Sequence, residues 1–262
     1  MPPFVRTNRE EFDFPDYAGL PPVRYVLAAA PRSGSNMLAR ALWHTGQAGF
    51  ADGYLTDTHV LDYFERWGFD TADPAELVTR YLRRLMTCRT SPNGVFGIKV
   101  HGGHLIGLEA DLDDLLMSPR YIWLKRRDRV RQAISFALAH QTGVWIVDGV
   151  YVSISRTTSE PRYDYAEIRG HLSWLEREAR MWDDYFASRS AVPHILFYED
   201  LIADYGRAVH GCLRHLGVDS PGRLPDPGIQ RQAGETTERW LEWFARDSAR
   251  HGDAPAVMES SS

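Results

Sequence analysis

A strongly apolar strand passes into an amphipathic helix through a tight polar turn at residues 26–42, VLAAAPRSGSNMLARAL. The same change from a continuous apolar run to helical spacing of apolar residues recurs along the chain. Short apolar runs predict strands at 25–30, 95–100, 121–124 and 194–198. Helical spacing predicts helices at 36–44, 74–88, 128–140, 163–189, 205–216 and 236–250. Alternating strands and helices favour an α/β fold with a central parallel sheet flanked by helices.

The ends of this pattern predict the domain organisation. Residues 1–22 are polar and contain Pro15, Pro21 and Pro22, so we expect an N-terminal arm that leads into a single domain at 23–262. The segment 143–161 has little helical period, which indicates a loop or flap. No internal repeat interrupts the domain.

Composition excludes several classes of protein. No apolar run approaches the roughly 20 residues that span a bilayer, and the charged N-terminus does not resemble a signal peptide. The two cysteines, Cys88 and Cys212, lie far apart without metal-ligand spacing, which indicates a reduced, cytoplasmic protein. The net charge of −5 argues against general affinity for nucleic acid or anionic membranes. Any bound anion must therefore meet a local cluster of positive charge.

The turn PRSGSN has the features of such a cluster. It follows a strand at the edge of the sheet where ligands of α/β proteins bind. Gly34 permits a positive φ, and the helix start presents unpaired amides to an anion. Ser33, Ser35 and Asn36 add donors, and Arg32 adds a planar cation suited to phosphate. The alternative is an ordinary turn capped by Ser33 or Ser35.

Metal-nucleotide chemistry fits this turn poorly. A Walker P-loop has a lysine after its glycines, whereas this turn has one glycine and no lysine after it. The strand YIWL runs into Lys125, Arg126 and Arg127 rather than into a carboxylate that would hold magnesium. A phosphate without a metal is the better match, and a nucleotide kinase is a distant alternative.

A second cluster, LKRRDRVRQAISF at 124–136, repeats the arrangement of strand end and helix start. Asp128 is a plausible N-cap, and Ser135 lies two turns into the helix. An arginine at the turn, Arg126 or Arg127, could bind a phosphate together with Ser135. The alternative is a solvated basic helix face. Two anion sites after two strands describe one ligand with two separate phosphate groups.

Five stretches in this order resemble the Stf0-type bacterial sulfotransferases: PRSGSNMLARAL, SPNGVFGIKVH at 91–101, LKRRDRVRQAISF, FYEDL at 197–201 and RQAGETTERWLEWF at 231–244. The resemblance implies a P-loop-like nucleotide-binding fold and the donor 3′-phosphoadenosine 5′-phosphosulfate (PAPS), with 3′-phosphoadenosine 5′-phosphate (PAP) as product and no metal. It also suggests a homodimer.

The resemblance further assigns roles to residues. Arg32 and the amides of residues 33–37 would hold the 5′-phosphosulfate; these are Ser33, Gly34, Ser35, Asn36 and Met37. Arg126 with Ser135 would hold the 3′-phosphate, with Arg127 as a close competitor, and Arg231 would contact the nucleotide. In FYEDL the strand closes with Glu199 and Asp200, where a metal is conceivable, but we expect Asp200 to cap the following helix instead.

The chain departs from the family at the general base. The family's glutamate, in a segment resembling G-x-P-x-E-[FY]-F, corresponds to Gly53 in GFADGYL at 49–55. Asp52, Asp57 and His59 are candidates to replace it. Asp52 is the first choice and His59 the second, since an imidazole needs no tuning to act near neutral pH. The alternative for Asp52 is a turn cap.

Two further candidates follow the strand FGIKV. Lys99 could stabilise the leaving phosphate or contact the acceptor, with a buried ion pair as the competing role. His101 could be another base or a donor to the acceptor, whereas we expect His104 to face solvent.

Together with these residues, the resemblance implies a cytoplasmic PAPS-dependent sulfotransferase. Its acceptor would be a hydroxyl group of a carbohydrate or a glycosylated small molecule, in a pocket built from loops 50–65 and 143–161. The alternative is a catalytically impaired protein that binds PAPS or PAP, which Gly53 would permit.

Overall fold

The computed structural model describes residues 9–69, 74–108, 111–147, 152–154, 160–224 and 234–253. Within these ranges no helix has the length and apolar character needed to cross a membrane. Arg231 and the adjoining part of the RQAGETTERWLEWF stretch lie outside the described residues.

A four-stranded parallel sheet forms the centre, with the strand order β2-β1-β3-β6. Its strands are β1 (Val23–Ala29), β2 (Val95–His101), β3 (Arg120–Lys125) and β6 (His194–Phe197). These are the four strands predicted from apolar runs, and each differs from its prediction by only a few residues at the ends. Because the strands are parallel, their carboxyl ends meet at one edge, where the polar turns follow.

Ten helices are described, most of them packed on the two faces of the sheet. They are α1 (Ser35–His44), α2 (Asp57–Trp67), α3 (Pro74–Arg89), α4 (His104–Gly107), α5 (Leu112–Leu116), α6 (Arg129–Thr142), α7 (Tyr165–Arg189), α8 (Tyr198–Ala203), α9 (Tyr205–His215) and α10 (Glu235–His251). The expectation of an α/β fold with a helix-flanked parallel sheet is confirmed. The unit β1–turn–α1 gives it a P-loop-like character.

The central strand β1 is buried on both faces. Tyr25 and Leu27 pack with α1 and α9, whereas Val26 and Ala28 pack on the opposite side with α3 and α7. This burial explains the nearly continuous apolar run in the sequence, which is typical of an interior parallel strand. A third core cluster lies between α6, α7 and α10.

Two regions differ from the sequence-based expectation. The segment 143–161 contains an antiparallel pair, β4 (Val144–Val147) and β5 (Val152–Ile154), so the expectation of a loop there is wrong at these residues. Helix α2 was not predicted, although its apolar residues recur at helical spacing: Val60, Tyr63, Phe64 and Trp67.

The predicted arm packs against the sheet domain from residue 9 onward. A 3₁₀ helix, Glu10–Phe12, places the Phe12 side chain in the interior. Asp13 follows, and its carboxylate lies 3.1 Å from Nε of the fully buried Arg89. Arg89 also donates to the Phe12 carbonyl at 2.9 Å, so the arm and α3 satisfy each other's polar groups.

Candidate active site

The turn between β1 and α1 forms a tight loop, and we call residues 31–36 the first anion loop. Gly34 has φ of 89° and occupies the N-cap position of α1. A Cβ at this glycine would lie 2.5 Å from Cδ2 of Tyr198, so both the backbone conformation and the space require glycine. Arg32 also has a positive φ of 63°, an uncommon conformation for arginine.

The first anion loop presents polar groups to its interior. Helix geometry leaves the first amides of α1 without acceptors inside the helix. Ser33 is fully buried, and its Oγ has no hydrogen-bond partner among the residues that the structure describes. An unsatisfied buried hydroxyl is costly unless a ligand or water completes it. Met37 turns its side chain to the core, so it offers the loop only its backbone.

The turn between β3 and α6, residues 126–128, is the second anion loop, and its two arginines point in different directions. The Arg126 side chain is 8% exposed, lies over the Tyr198 ring and donates from Nη1 to the Arg32 carbonyl at 3.0 Å. Arg127 turns outward and forms two hydrogen bonds with the Asp200 carboxylate, at 2.9 and 2.8 Å. Arg126 is therefore the arginine that faces the first anion loop.

Asp200 thus does not cap α8, and the expectation that it would is wrong. The N-cap position of α8 is Phe197, without a side-chain cap, and Asp200 lies in the first turn paired with Arg127. Asp128 does cap α6 as expected, because its carboxylate accepts from the Arg131 amide.

Helix α6 brings Ser135 against the first anion loop. Arg32 Nε donates to Ser135 Oγ at 2.9 Å, and the Arg32 guanidinium also donates to the main-chain carbonyl of Trp145 in β4. Gln132, buried one turn earlier, donates to the Pro31 carbonyl at 2.7 Å. One continuous site therefore contains both predicted anion sites, because Arg32 and Ser135 contact each other and the turns before α1 and α6 lie side by side.

The electrostatics of this site favour an anion. Burial lowers the pKa of Arg32 to about 10, and the positive charge of Arg126 acts in the same direction. Burial also lowers the pKa of Arg126, while Glu199 opposes the shift. Two neighbouring guanidinium groups, each removed from water, are stabilised when a negative ligand approaches both.

Lys99 lies beside the first anion loop, at the carboxyl end of β2. Its side chain is 9% exposed; its ammonium donates to Asn36 Oδ1 and lies 3.5 Å from Asp52 Oδ1. Asp52 is held there because its main chain forms an isolated β-bridge with Ile98 of β2. Its carboxylate accepts a hydrogen bond from the Gly53 amide at 2.8 Å. The buried ion pair and the turn cap, given above as alternatives, are both present.

His59, near the start of α2, completes this group. Its Nδ1 lies 2.6 Å from Thr56 Oγ1 and 3.0 Å from the Gly53 carbonyl, and Thr56 Oγ1 donates to the same carbonyl at 2.9 Å. Because the Gly53 carbonyl only accepts, we assign the proton of the neutral ring to Nδ1, where it can be donated to this carbonyl. The lone pair is then on Nε2, which lies 3.8 Å from Asp52 Oδ2.

His101 and His104 stack on each other at the end of β2, with ring centroids 5.4 Å apart. Burial is the main reason that the pKa of His101 falls to about 3, and the charges of Lys99 and His104 add to the effect. His104 is partly buried rather than fully exposed, and this burial lowers its pKa. Both rings are neutral at physiological pH.

Three groups that contribute to the site were missed by the sequence analysis. Thr56, Gln132 and the main-chain carbonyl of Trp145 were not predicted. The first two could have been suspected from their spacing to His59 and Ser135, whereas a backbone carbonyl has no residue-type signature. Among the described residues, no cluster of three or more histidine, cysteine or acidic side chains could hold a metal ion.

Comparison with known proteins agrees with this geometry. A sequence model of the Stf0 sulphotransferase family matches residues 24–247. A trehalose 2-sulfotransferase of Mycolicibacterium smegmatis is 28% identical, with 88% of this chain and 97% of that protein covered. A trehalose 2-sulfotransferase of Mycobacterium tuberculosis is 26% identical, with 87% and 96% covered.

Among solved structures, a sulfotransferase from Alicyclobacillus acidocaldarius aligns with a TM-score of 0.46 at 17% identity, covering 89% of this chain and 94% of that one. The family match extends over both anion loops and over the strands and helices that carry them. The chain therefore belongs to the Stf0 sulfotransferase family.

Proposed function

We propose that the protein transfers a sulfuryl group from PAPS to a hydroxyl group of a carbohydrate or a glycosylated small molecule. Family membership supports the reaction class. The two relatives named trehalose 2-sulfotransferase support a sugar-containing acceptor. The observation that carries the choice of donor is the pair of neighbouring arginines, Arg32 and Arg126, at the ends of adjacent strands.

The residues present fit a nucleotide with phosphates at both ends. Arg32 and the amides at the start of α1 would bind the 5′-phosphosulfate, with the orphaned Ser33 hydroxyl as a further donor. Arg126 and Ser135 would bind the 3′-phosphate. Arg127 is engaged by Asp200, which favours Arg126 for this role. A contact between Arg231 and the nucleotide remains a prediction.

When bound, PAPS supplies the sulfuryl group and a phosphate leaving group. By analogy with phosphoryl transfer, the protein mainly positions the reactants and neutralises charge that develops on the leaving oxygen. Lys99 is suited to that neutralisation because Asn36, at the start of α1, directs its ammonium toward the first anion loop. The site needs no metal for these steps.

We assign removal of the acceptor proton to His59, supported by Asp52. The neutral ring offers the Nε2 lone pair, and once protonated this nitrogen faces the Asp52 carboxylate, which stabilises the imidazolium. A Cβ at Gly53 would point at Lys99, Thr56 and His59, at 3.5 to 3.8 Å. His59 therefore occupies the space toward which a side chain at position 53 would extend. His101, neutral and half-buried, is assigned to hydrogen bonding with the acceptor.

The proposal is tested by calorimetry with PAP and by sulfate transfer from PAPS to a panel of sugars and glycosides that includes trehalose. His59→Asn should lower kcat by roughly 10²–10⁴-fold and leave the Kd of PAP unchanged, whereas His251→Asn on the distant α10 should change neither. Chelation of divalent ions should not affect transfer.

Several outcomes would contradict the proposal. PAP binding without transfer to any acceptor would favour the impaired binding protein. Magnesium-dependent ATP hydrolysis would favour a kinase. Loss of transfer in His101→Asn but not in His59→Asn would move the base to His101.

A further inference from the structure

The junction between β6 and α8 touches both anion loops. We propose that its residues Tyr198 and Glu199 are positioning residues that fix Arg126 against the first anion loop and thereby set the preference for nucleotides carrying a 3′-phosphate. The inference rests on the proposed donor, and it gives a role to the FYEDL stretch beyond strand and helix formation.

Glu199 binds the start of α6 in the way that a ligand phosphate could. Its Oε2 accepts from the Arg127 amide at 3.0 Å, and its Oε1 accepts from the Asp128 amide at 3.3 Å. These two amides, in the turn before α6, are therefore occupied by a carboxylate of the protein itself, which increases the share of the 3′-phosphate contacts that side chains must supply.

Glu199 also orients Arg126, the arginine that would supply the principal side-chain contact with the 3′-phosphate. Its Oε1 lies 3.9 Å from Arg126 Nε, a buried nitrogen without a hydrogen-bond partner among the described residues. The negative charge of the Glu199 carboxylate attracts the Arg126 guanidinium from one side. On the other side, the hydrogen bond from Arg126 Nη1 to the Arg32 carbonyl holds it in place. Arg126 is thus presented in one orientation before a ligand arrives.

Tyr198 connects this arrangement to the first anion loop. Its ring lies directly against Gly34, where a Cβ would approach within 2.5 Å, and the Arg126 guanidinium carbon lies 4.7 Å from the ring centroid. Movement of the ring would displace both the glycine turn and the arginine. One side chain therefore couples the two anion loops.

The next residue supplies a matched control. Asp200 carries the same charge one position along, but it binds Arg127 through two hydrogen bonds at 2.9 and 2.8 Å and is 55% exposed. Among the residues that the structure describes, the Asp200 carboxylate binds Arg127 and makes no hydrogen bond or ion pair with Arg126. Glu199→Gln and Asp200→Asn remove equal charge from neighbouring positions and differ in whether Arg126 loses a partner.

The experiment measures the Kd of PAP and of adenosine 5′-monophosphate (AMP), which lacks the 3′-phosphate, for the full chain and both variants. Glu199→Gln should reduce the ratio Kd(AMP)/Kd(PAP) by about tenfold. This is the loss expected when Arg126 no longer holds one charge-assisted hydrogen bond to the 3′-phosphate. Asp200→Asn should leave the ratio unchanged. Tyr198→Phe should also leave it unchanged, whereas Tyr198→Ala should lower it, because the ring and not the hydroxyl makes the contacts.

Each other result overturns the inference. An unchanged ratio in Glu199→Gln, including an equal loss for both nucleotides, would mean that Glu199 is only structural. A raised ratio would mean that its charge merely repels the 3′-phosphate. An equal fall in Asp200→Asn would assign the effect to net charge or to Arg127. If the unchanged protein itself shows no preference for PAP over AMP, the proposed donor fails instead.

Discussion

Replacement of Gly34 by alanine should destabilise the fold and disrupt the first anion loop at the same time. An alanine at φ of 89° incurs backbone strain of about 1–2 kcal/mol. Its Cβ would also lie 2.5 Å from Cδ2 and 3.0 Å from Cε2 of the Tyr198 ring. Overpacking of this kind costs about 1–3 kcal/mol, because the ring must move.

Gly46 provides the control, because it has φ of 69° but nothing within 4 Å of the position where a Cβ would lie. Gly46→Ala should therefore show only the backbone cost, about 1–2 kcal/mol. The difference in the free energy of unfolding between the two variants isolates the contact with Tyr198. Guanidinium unfolding of both variants at equal protein concentration, followed by calorimetry with PAP, measures the two effects.

The reasoning predicts that Gly34→Ala loses about 1–3 kcal/mol more than Gly46→Ala and binds PAP at least about tenfold more weakly. The extra loss should shrink in a Tyr198→Ala background, since the obstructing ring is then absent. Equal losses in the two glycine variants, or an extra loss that persists without the ring, would refute the packing of Tyr198 on this turn.

Three further outcomes are expected. Arg126→Met should weaken PAP binding by roughly 10–100-fold, whereas Arg127→Met should change it less than about threefold, as calorimetry would measure; the reverse order would return the 3′-phosphate to Arg127. Acidification should destabilise the protein by up to about 1.4 kcal/mol per pH unit through His101 alone, because the unfolded chain protonates this residue below about pH 6.5 and the folded one only near pH 3. Denaturation midpoints from pH 7 to 4 should therefore fall less steeply in His101→Gln, and parallel curves would contradict its burial as a neutral ring. Asp13→Asn should lower the free energy of unfolding by roughly 3 kcal/mol, because the fully buried Arg89 loses its carboxylate, and a loss below 1 kcal/mol would show that the arm does not stabilise α3.

Local sequence patterns were sufficient for the sheet and for the first anion loop. The strand β1 is buried on both sides, so its apolar run is continuous, and Gly34 marks the change from strand to helix. Helix α2 was not predicted because residues 50–65 were assigned to a loop, although Val60, Tyr63 and Trp67 recur at helical spacing.

The choice between Arg126 and Arg127 could not be made from the sequence around them. Our proposal of Arg126 rests on Asp200, more than seventy residues away in the chain, which binds Arg127 and leaves Arg126 facing the first anion loop. The environment of His59 likewise depends on a carbonyl and a hydroxyl that face it only after α2 has formed. Residue types at one edge of a sheet are predictable locally, whereas their pairing is a property of the tertiary structure.

The hydrogen bond from Arg32 to β4 ends on the main-chain oxygen of Trp145. Every amino acid supplies that oxygen, so the hydrogen bond that joins the β4–β5 ribbon to the first anion loop does not require a particular residue type at position 145. The Trp145 side chain packs against Phe136 and His140, so alanine at this position would remove that ring packing but not the acceptor of the Arg32 hydrogen bond. Only a shift of the backbone itself, as by insertion or deletion within the ribbon, would break it.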